Sequence, residues 1–402
     1  MTRTVEGFTV AWETRRALFS LDPRLAHLNH GSYGAVPLPV QRAHQRLRNE
    51  MEANPMAFFT RGLLDRIAHT RNHLASFVRA EPSGSALVPN ATAAANAVLR
   101  SVRIGAGDEI LVTDHGYGAV RLAAQDVAER AGATLRVATV PLAADEDDMV
   151  QRVIDAVRPG RTRLAVVDHV ASPTARLFPV DRLVAELHAR DVLVLVDAAH
   201  GPGMVDLDVA GTDADFWCGN LHKWAFAPRP TALLAVRPEH RAALRPLVLS
   251  WLQPEGYPLA LEFGGTLDYT PWLAAPAGVH LLRTLGPDPV RSHNNALAAQ
   301  GQRVVAEALA SGRARVGAGL ELARAGRLGD AVSMRAVPLP AGIADDAQAA
   351  TALRTRLATD HGVEVAIGVW NGAGVIRLSA QIYNEIEDYE RLGRALEMLL
   401  PR

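Results

Sequence analysis

The 402-residue chain has a single cysteine, Cys218, few aromatic residues (5% Phe, Trp and Tyr) and almost no net charge. One cysteine excludes an internal disulfide and any metal site built on several thiolates. Lys plus Arg is 42 and Asp plus Glu is 43, a formal charge of -1, so no field of one sign draws the chain to nucleic acid or to an acidic membrane surface. No run approaches the roughly 18 uncharged apolar residues that a membrane helix needs, and the N-terminal "MTRTVEGFTVAWETRR" lacks the apolar core of a signal peptide. A cytoplasmic protein is expected, with neither nucleic acid nor membrane as partner.

What the chain does have is 49% hydrophobic residues, arranged in alternating short and long segments. "EILVTD", "TLRVATV", "TRLAVVDHV", "VLVLVDAA" and "TALLAV" read as strands, without the polar alternation of a half-exposed sheet. Between most of them lie amphipathic stretches, "GAVRLAAQDVAERAG", "DDMVQRVIDAVRPG" and "VDRLVAELHAR", that read as helices. Further helices are expected over 63–78, up to residue 285, and over 290–310, while "EFGGTLDYTPW" reads as a loop. Strands buried on both faces and spaced by helices predict an α/β fold with a mostly parallel sheet covered on both sides. At this length a second core is expected. The predicted organisation is an N-terminal arm over 1–27, a large domain over 28–288 and a small α+β domain over 289–402, with part of the N-terminal segment available to pack on the latter.

In an open parallel sheet, ligands gather beyond the carboxyl ends of the strands. Those ends carry Asp114 and His115, Asp168 and His169, and Asp197 followed by His200. Taken singly, each Asp could be a helix cap and each His a satisfied polar residue at the core edge. Metal ligation is a rival reading, but there is no close histidine pair and the residues sit on separate strands, so no metal is expected. The strand-to-helix turns lack GxGxxG and a Walker loop, and "PSGSA" is not the GxSxG of a serine hydrolase. Lys223 is the remaining signal, set between "FWCGNLH" and "WAFAP". Desolvation there would free an amine for a Schiff base or for proton transfer. A lysine that merely snorkels from an apolar loop fits the same spacing.

"DAAHGPG" followed by "DADFWCGNLHKWAFAP" resembles the cofactor segment of fold-type I pyridoxal-phosphate enzymes of aminotransferase class V. "HLNHGSYGAVP", "VVDHVASPT" and "GVIRLSAQIYN" are similar to the isopenicillin N epimerase-like branch, which includes carbon–sulfur lyases. The resemblance implies a seven-stranded, mostly parallel sheet and pyridoxal 5'-phosphate as cofactor. It implies Lys223 as the Schiff-base lysine and proton shuttle, Asp197 on the pyridine nitrogen, His115 stacked on the ring and His200 near the phenolic oxygen. Ala91, Thr92, Asn220 and His222 would hold the phosphate, with Thr266 reaching in from the second subunit of a homodimer. Arg377 would clamp a substrate carboxylate, with Asn29 and His30 lining the same side and Tyr33 as a conceivable acid on the face opposite the lysine.

Two departures stand out. The loop region of the C-terminal half that carries a nucleophilic cysteine in the related cysteine desulfurases has none here, which argues against persulfide relay, and Cys218, five residues before Lys223, reads as a small packed residue. Arg229-Pro230 stands where the branch more often has a basic residue and glycine. The motifs imply an amino-acid substrate and leave β-elimination at a Cβ–S bond, epimerisation at Cα and transamination open. A cofactor-binding scaffold without activity is the non-enzymatic alternative.

Overall fold

The computed structural model describes residues 2–5, 8–311 and 317–400. Seven strands form the main sheet: β1 (Ser85–Val88), β2 (Glu109–Thr113), β3 (Thr134–Ala138), β4 (Thr162–Asp168), β5 (Leu193–Asp197), β6 (Phe216–Asn220) and β7 (Ala232–Val236). Their order is β1-β7-β6-β5-β4-β2-β3. The neighbours from β6 through to β3 pair in parallel, and only β7 runs against its two neighbours. The expected α/β architecture is therefore present. The strands β1 and β6, absent from the sequence reading, complete the seven.

Helices cover both faces. Gly118–Ala131 ends at Gly132, whose left-handed φ of 66° closes the helix. Glu146–Asp155 begins at Asp145, whose side chain accepts from the Asp148 amide. The hydrophobic residues of β4 and β5 are almost all fully buried, as the lack of alternation in those strands requires. Thr270–Leu285 and Pro287–Ala310 then lead to a second sheet of β8 (Met334–Pro338), β9 (Ala366–Trp370) and β10 (Ala373–Ser379), with β10 central and antiparallel to both neighbours. Ala347–His361 and Ile386–Leu399 pack there around a separate apolar core. Ala26 and Leu28 are buried in that core, because Ala26–His27 pairs in parallel with Val363–Glu364. The Ser379 amide of β10 also donates to the Leu28 carbonyl, which ties this segment to the C-terminal sheet. Among the described residues, no helix is long and apolar enough to cross a membrane.

Candidate active site

The carboxyl ends of β4, β5 and β6 lie side by side. Asp168 and Asp197 are register partners, and Asp197 is in turn opposite Cys218. Above them is a cavity of about 240 Å³, lined in part by Asp168, Asp197, His200, Asn220, His222 and Lys223. Asn90, Ala91 and Thr92 close one side, where the helix Ala91–Ser101 starts, and Ser32, Tyr33, Tyr117, Ser172 and Arg229 close the other.

Burial dominates the electrostatics. Desolvation, reinforced by the Arg377 charge and opposed by Asp197, pulls the Lys223 amine down to about 7. Burial raises the Asp197 carboxyl although the Ala199 amide donates to it at 3.0 Å and Lys223 attracts it. Burial, reinforced by the neighbouring Asp197 charge, pushes the Asp168 carboxyl well above the usual carboxylate range. His222, its Nδ1 2.9 Å from the Thr231 carbonyl, is held by burial at about 4 and is neutral.

Lys223 is gripped at both ends. The His30 Nε2–H donates to the Lys223 carbonyl at 2.9 Å, which leaves its Nδ1 to accept from the Tyr383 hydroxyl at 3.1 Å. His200 Nε2 lies 3.4 Å from the Lys223 Nζ, and the Trp224 indole donates to His200 Nδ1 at 3.3 Å.

Arg377, on β10, is buried. Its Nη1 donates to the Ser172 carbonyl at 2.8 Å and hydroxyl at 3.0 Å, and its Nη2 to Asn29 Oδ1 and Ser32 Oγ, both at 3.0 Å. Among the described residues its Nε has no hydrogen-bond partner. Burial pulls the guanidinium down to about 10, still charged at neutral pH.

Of the residues expected from sequence, the structure gathers Lys223, Asp197, His200, Asn220, His222, Ala91, Thr92 and Tyr33 on the cavity. His115 is not among the lining residues. Its Nε2–H donates to the Val140 carbonyl at 2.8 Å, its Nδ1 accepts from Thr174 at 2.6 Å, and its ring packs on Phe178 and Trp370. Tyr117, two residues on, is the aromatic of that loop that reaches the cavity. Arg377, Asn29 and His30 are not among the lining residues either: Arg377 backs the lining Ser32 and Ser172 and bonds Asn29, and His30 holds the Lys223 carbonyl. The Ala91 amide is taken by Asn220 Oδ1 at 2.9 Å. Thr266 is exposed and does not border the cavity of its own chain. Sequence reasoning missed Ser32, Ser172, Tyr117 and Trp224. Ser172 lies inside "VVDHVASPT" and Trp224 beside the lysine, so position was the available signal.

The family model for aminotransferase class-V matches residues 35–392. The chain is 33% identical over 405 residues to isopenicillin N epimerase of Streptomyces clavuligerus, covering 96% of this chain and 98% of that protein. It is 31% identical over 411 residues to putative L-cysteine desulfhydrase 1 of Oryza sativa subsp. japonica, covering 94% and 83% respectively. Among solved structures, the complex of the cystine C-S lyase C-DES with cysteine persulfide superposes with a TM-score of 0.77 at 19% identity, covering 94% of this chain and 99% of that one. A family model spanning most of the chain, together with full-length relatives above 30% identity, places this protein in the aminotransferase class-V family.

Proposed function

We propose that the protein binds pyridoxal 5'-phosphate on Lys223 and acts as a carbon–sulfur β-lyase on a cysteine-type amino acid. The observation that carries the reading is a buried, charged Arg377 whose Nε has no partner among the described residues, close to a lysine whose amine burial pulls down to about 7. The residues fit the cofactor. The start of the helix Ala91–Ser101 favours an anion, and Thr92, Asn220 and His222 border that end. The Ala91 amide is already bonded, so the phosphate would fall to Thr92 and its neighbours. Asp197 sits at the floor to meet the pyridine nitrogen, and His200 beside the lysine to meet the phenolic oxygen.

When bound, the cofactor supplies an electron sink for bonds broken at Cα. The chain supplies the rest. Arg377 orients the substrate carboxylate with a planar fork that a lysine lacks. Lys223 takes the Cα proton, and Asp197 holds compensating charge. Cys218 is fully buried and its thiol is raised well above the ordinary range, so the sulfur leaves as a free thiol and is not handed to a protein cysteine.

Curated relatives named L-cysteine desulfhydrase support this outcome. Those named isopenicillin N epimerase, together with Tyr33 on the cavity, favour inversion at Cα as the second reading. A homodimer also belongs to the reading. Thr266 is exposed, its neighbour Leu267 is 44% accessible, and elsewhere on the surface Leu249 is 73% and Trp251 91% accessible, apolar surface of the kind that a second copy would cover while Thr266 meets its phosphate.

The test is incubation with cysteine thioethers while following pyruvate and thiol. Release of both, lost in Lys223→Ala, is expected. Deuterium wash-in at Cα with loss of optical purity and no thiol would replace lyase by epimerase. A protein that shows no borohydride-sensitive visible absorbance would refute the cofactor itself.

A further inference from the structure

Lysine amines are protonated at neutral pH unless something keeps the proton off, and burial is only one means. Around Lys223 the hydrogen bonds supply another. An indole N–H can only donate. The Trp224 Nε1 lies 3.3 Å from His200 Nδ1, so that nitrogen must carry the lone pair. His200 is fully buried and neutral, held far below its ordinary range by burial and by the charges of Lys223 and Arg377. A neutral imidazole with an unprotonated Nδ1 carries its hydrogen on Nε2. That hydrogen is directed at the Lys223 Nζ, 3.4 Å away. Two donors cannot face each other productively, so the amine must accept through its lone pair.

We propose that Trp224 is a positioning residue that fixes the tautomer of His200, and that His200 in this form holds Lys223 as a free, nucleophilic amine. The proposal rests on Lys223 being the cofactor-binding amine. The groups facing Lys223 are Arg377, which repels its proton, and Asp197, which attracts it. Those facing His200 are Lys223, Arg377, His222 and His30, all of which disfavour an imidazolium. Of these, Lys223 touches the ring, and as an ammonium it would favour the opposite tautomer; the indole N–H at Nδ1 decides for the form with its hydrogen on Nε2. Without it, His200 can turn its lone pair to Lys223 and accept from an ammonium, which stabilises the protonated, unreactive lysine.

The indole is itself locked. Its ring packs on His30 with centroids 4.8 Å apart, and the same His30 holds the Lys223 carbonyl. On the other side Gly203, at φ 89°, lets the chain pass so close to the Trp224 carbonyl that a Cβ there would overlap it. Ring, backbone and amine are thus fixed by one short stretch, residues 223 and 224.

The test uses the full chain with Trp224→Phe and, to preserve shape, Trp224 replaced by 3-benzothienylalanine, which has sulfur where the indole has N–H. Imidazole nitrogen NMR, with the His200 signal assigned by its loss in His200→Gln, reads the tautomer directly. The rate of pyridoxal phosphate capture against pH, on protein freed of cofactor, reads the amine. The expected result is an Nε2–H tautomer in the unmodified chain. In the sulfur isostere a shift toward Nδ1–H is expected, with the midpoint for capture moved up and capture at pH 7 slowed about tenfold. An Nδ1–H tautomer in the unmodified chain, or an isostere whose midpoint does not move, would overturn the proposal. Absence of any capture at Lys223 would instead refute the cofactor assignment, since the tautomer can still be read.

Discussion

Replacing Lys223 by methionine, which keeps the length and removes the charge, tests the electrostatics of the site without any substrate. The folded amine sits at about 7 against 10.5 in the unfolded chain. A shift of that size is on the order of 5 kcal/mol of differential interaction. The sign follows from proton counting. Between these two values the unfolded chain binds the extra proton, so wild-type stability rises with pH by roughly 1.4 kcal/mol per unit. The cost of the buried amine is absent above 10.5 and complete below about 7. In protein freed of cofactor, Lys223→Met is therefore more stable than wild type. The gap narrows by about 3 kcal/mol from pH 7.5 to 9.5. Urea midpoints followed by tryptophan fluorescence at several pH values give the difference directly. A gap independent of pH would refute the reasoning. So would a methionine variant that is the less stable one at the lower pH, because Lys223 would then be a charged partner of Asp197.

Arg71→Ala tests a buried pair away from the cavity, where Glu262 is fully buried, accepts from the Leu87 amide at 2.9 Å and pairs with Arg71 at 2.6 Å. Burial raises the Glu262 carboxyl to about 7, so the loss, about 3–5 kcal/mol above that pH, shrinks at pH 6 where the acid is neutral; urea midpoints at pH 6 and 8 measure it. Cys218 stays unmodified by a thiol reagent in the native protein and reacts fully once urea unfolds it; rapid native labelling would contradict its burial. Gly203→Ala costs about 1–3 kcal/mol from its φ of 89° alone, and displacement of Trp224 adds to this, read as a lower melting temperature and weaker cofactor retention. Arg377→Lys raises KM for an amino-acid substrate at least tenfold by losing the planar fork, whereas an unchanged KM would remove Arg377 from substrate binding.

The parallel strands were legible because each is a run of aliphatic residues bounded by polar ends. β1 and β6 were not. "SALV" has only four residues, and "FWCGN" mixes aromatics with Gly and Asn, so neither shows a strand pattern alone. β1 becomes a strand by pairing with β7, and β6 by lying between β7 and β5, both tertiary events. The site residues on strand ends were legible for the same reason as the strands. Loop residues were not: in "DHGYG" the sequence offers His115 and Tyr117 equally. Their positions are decided by Thr174 and Val140, far away along the chain, which capture the imidazole. His30 and Asn29 were found by motif, but their depth was invisible, since it depends on Tyr383 and Arg377 from the other end of the chain.

That reach across the chain has a consequence for when the amine becomes reactive. The hydrogen bond holding the Lys223 carbonyl spans 193 residues, and those from Arg377 to Ser172 and Asn29 span 205 and 348. While the polypeptide emerges from the ribosome, Lys223, Asp197 and His200 are made together, but the guanidinium that helps to strip the lysine of its proton arrives only with β10. Burial remains the larger cause of the lowered amine, and the part that Arg377 adds is completed only by docking of the last sheet.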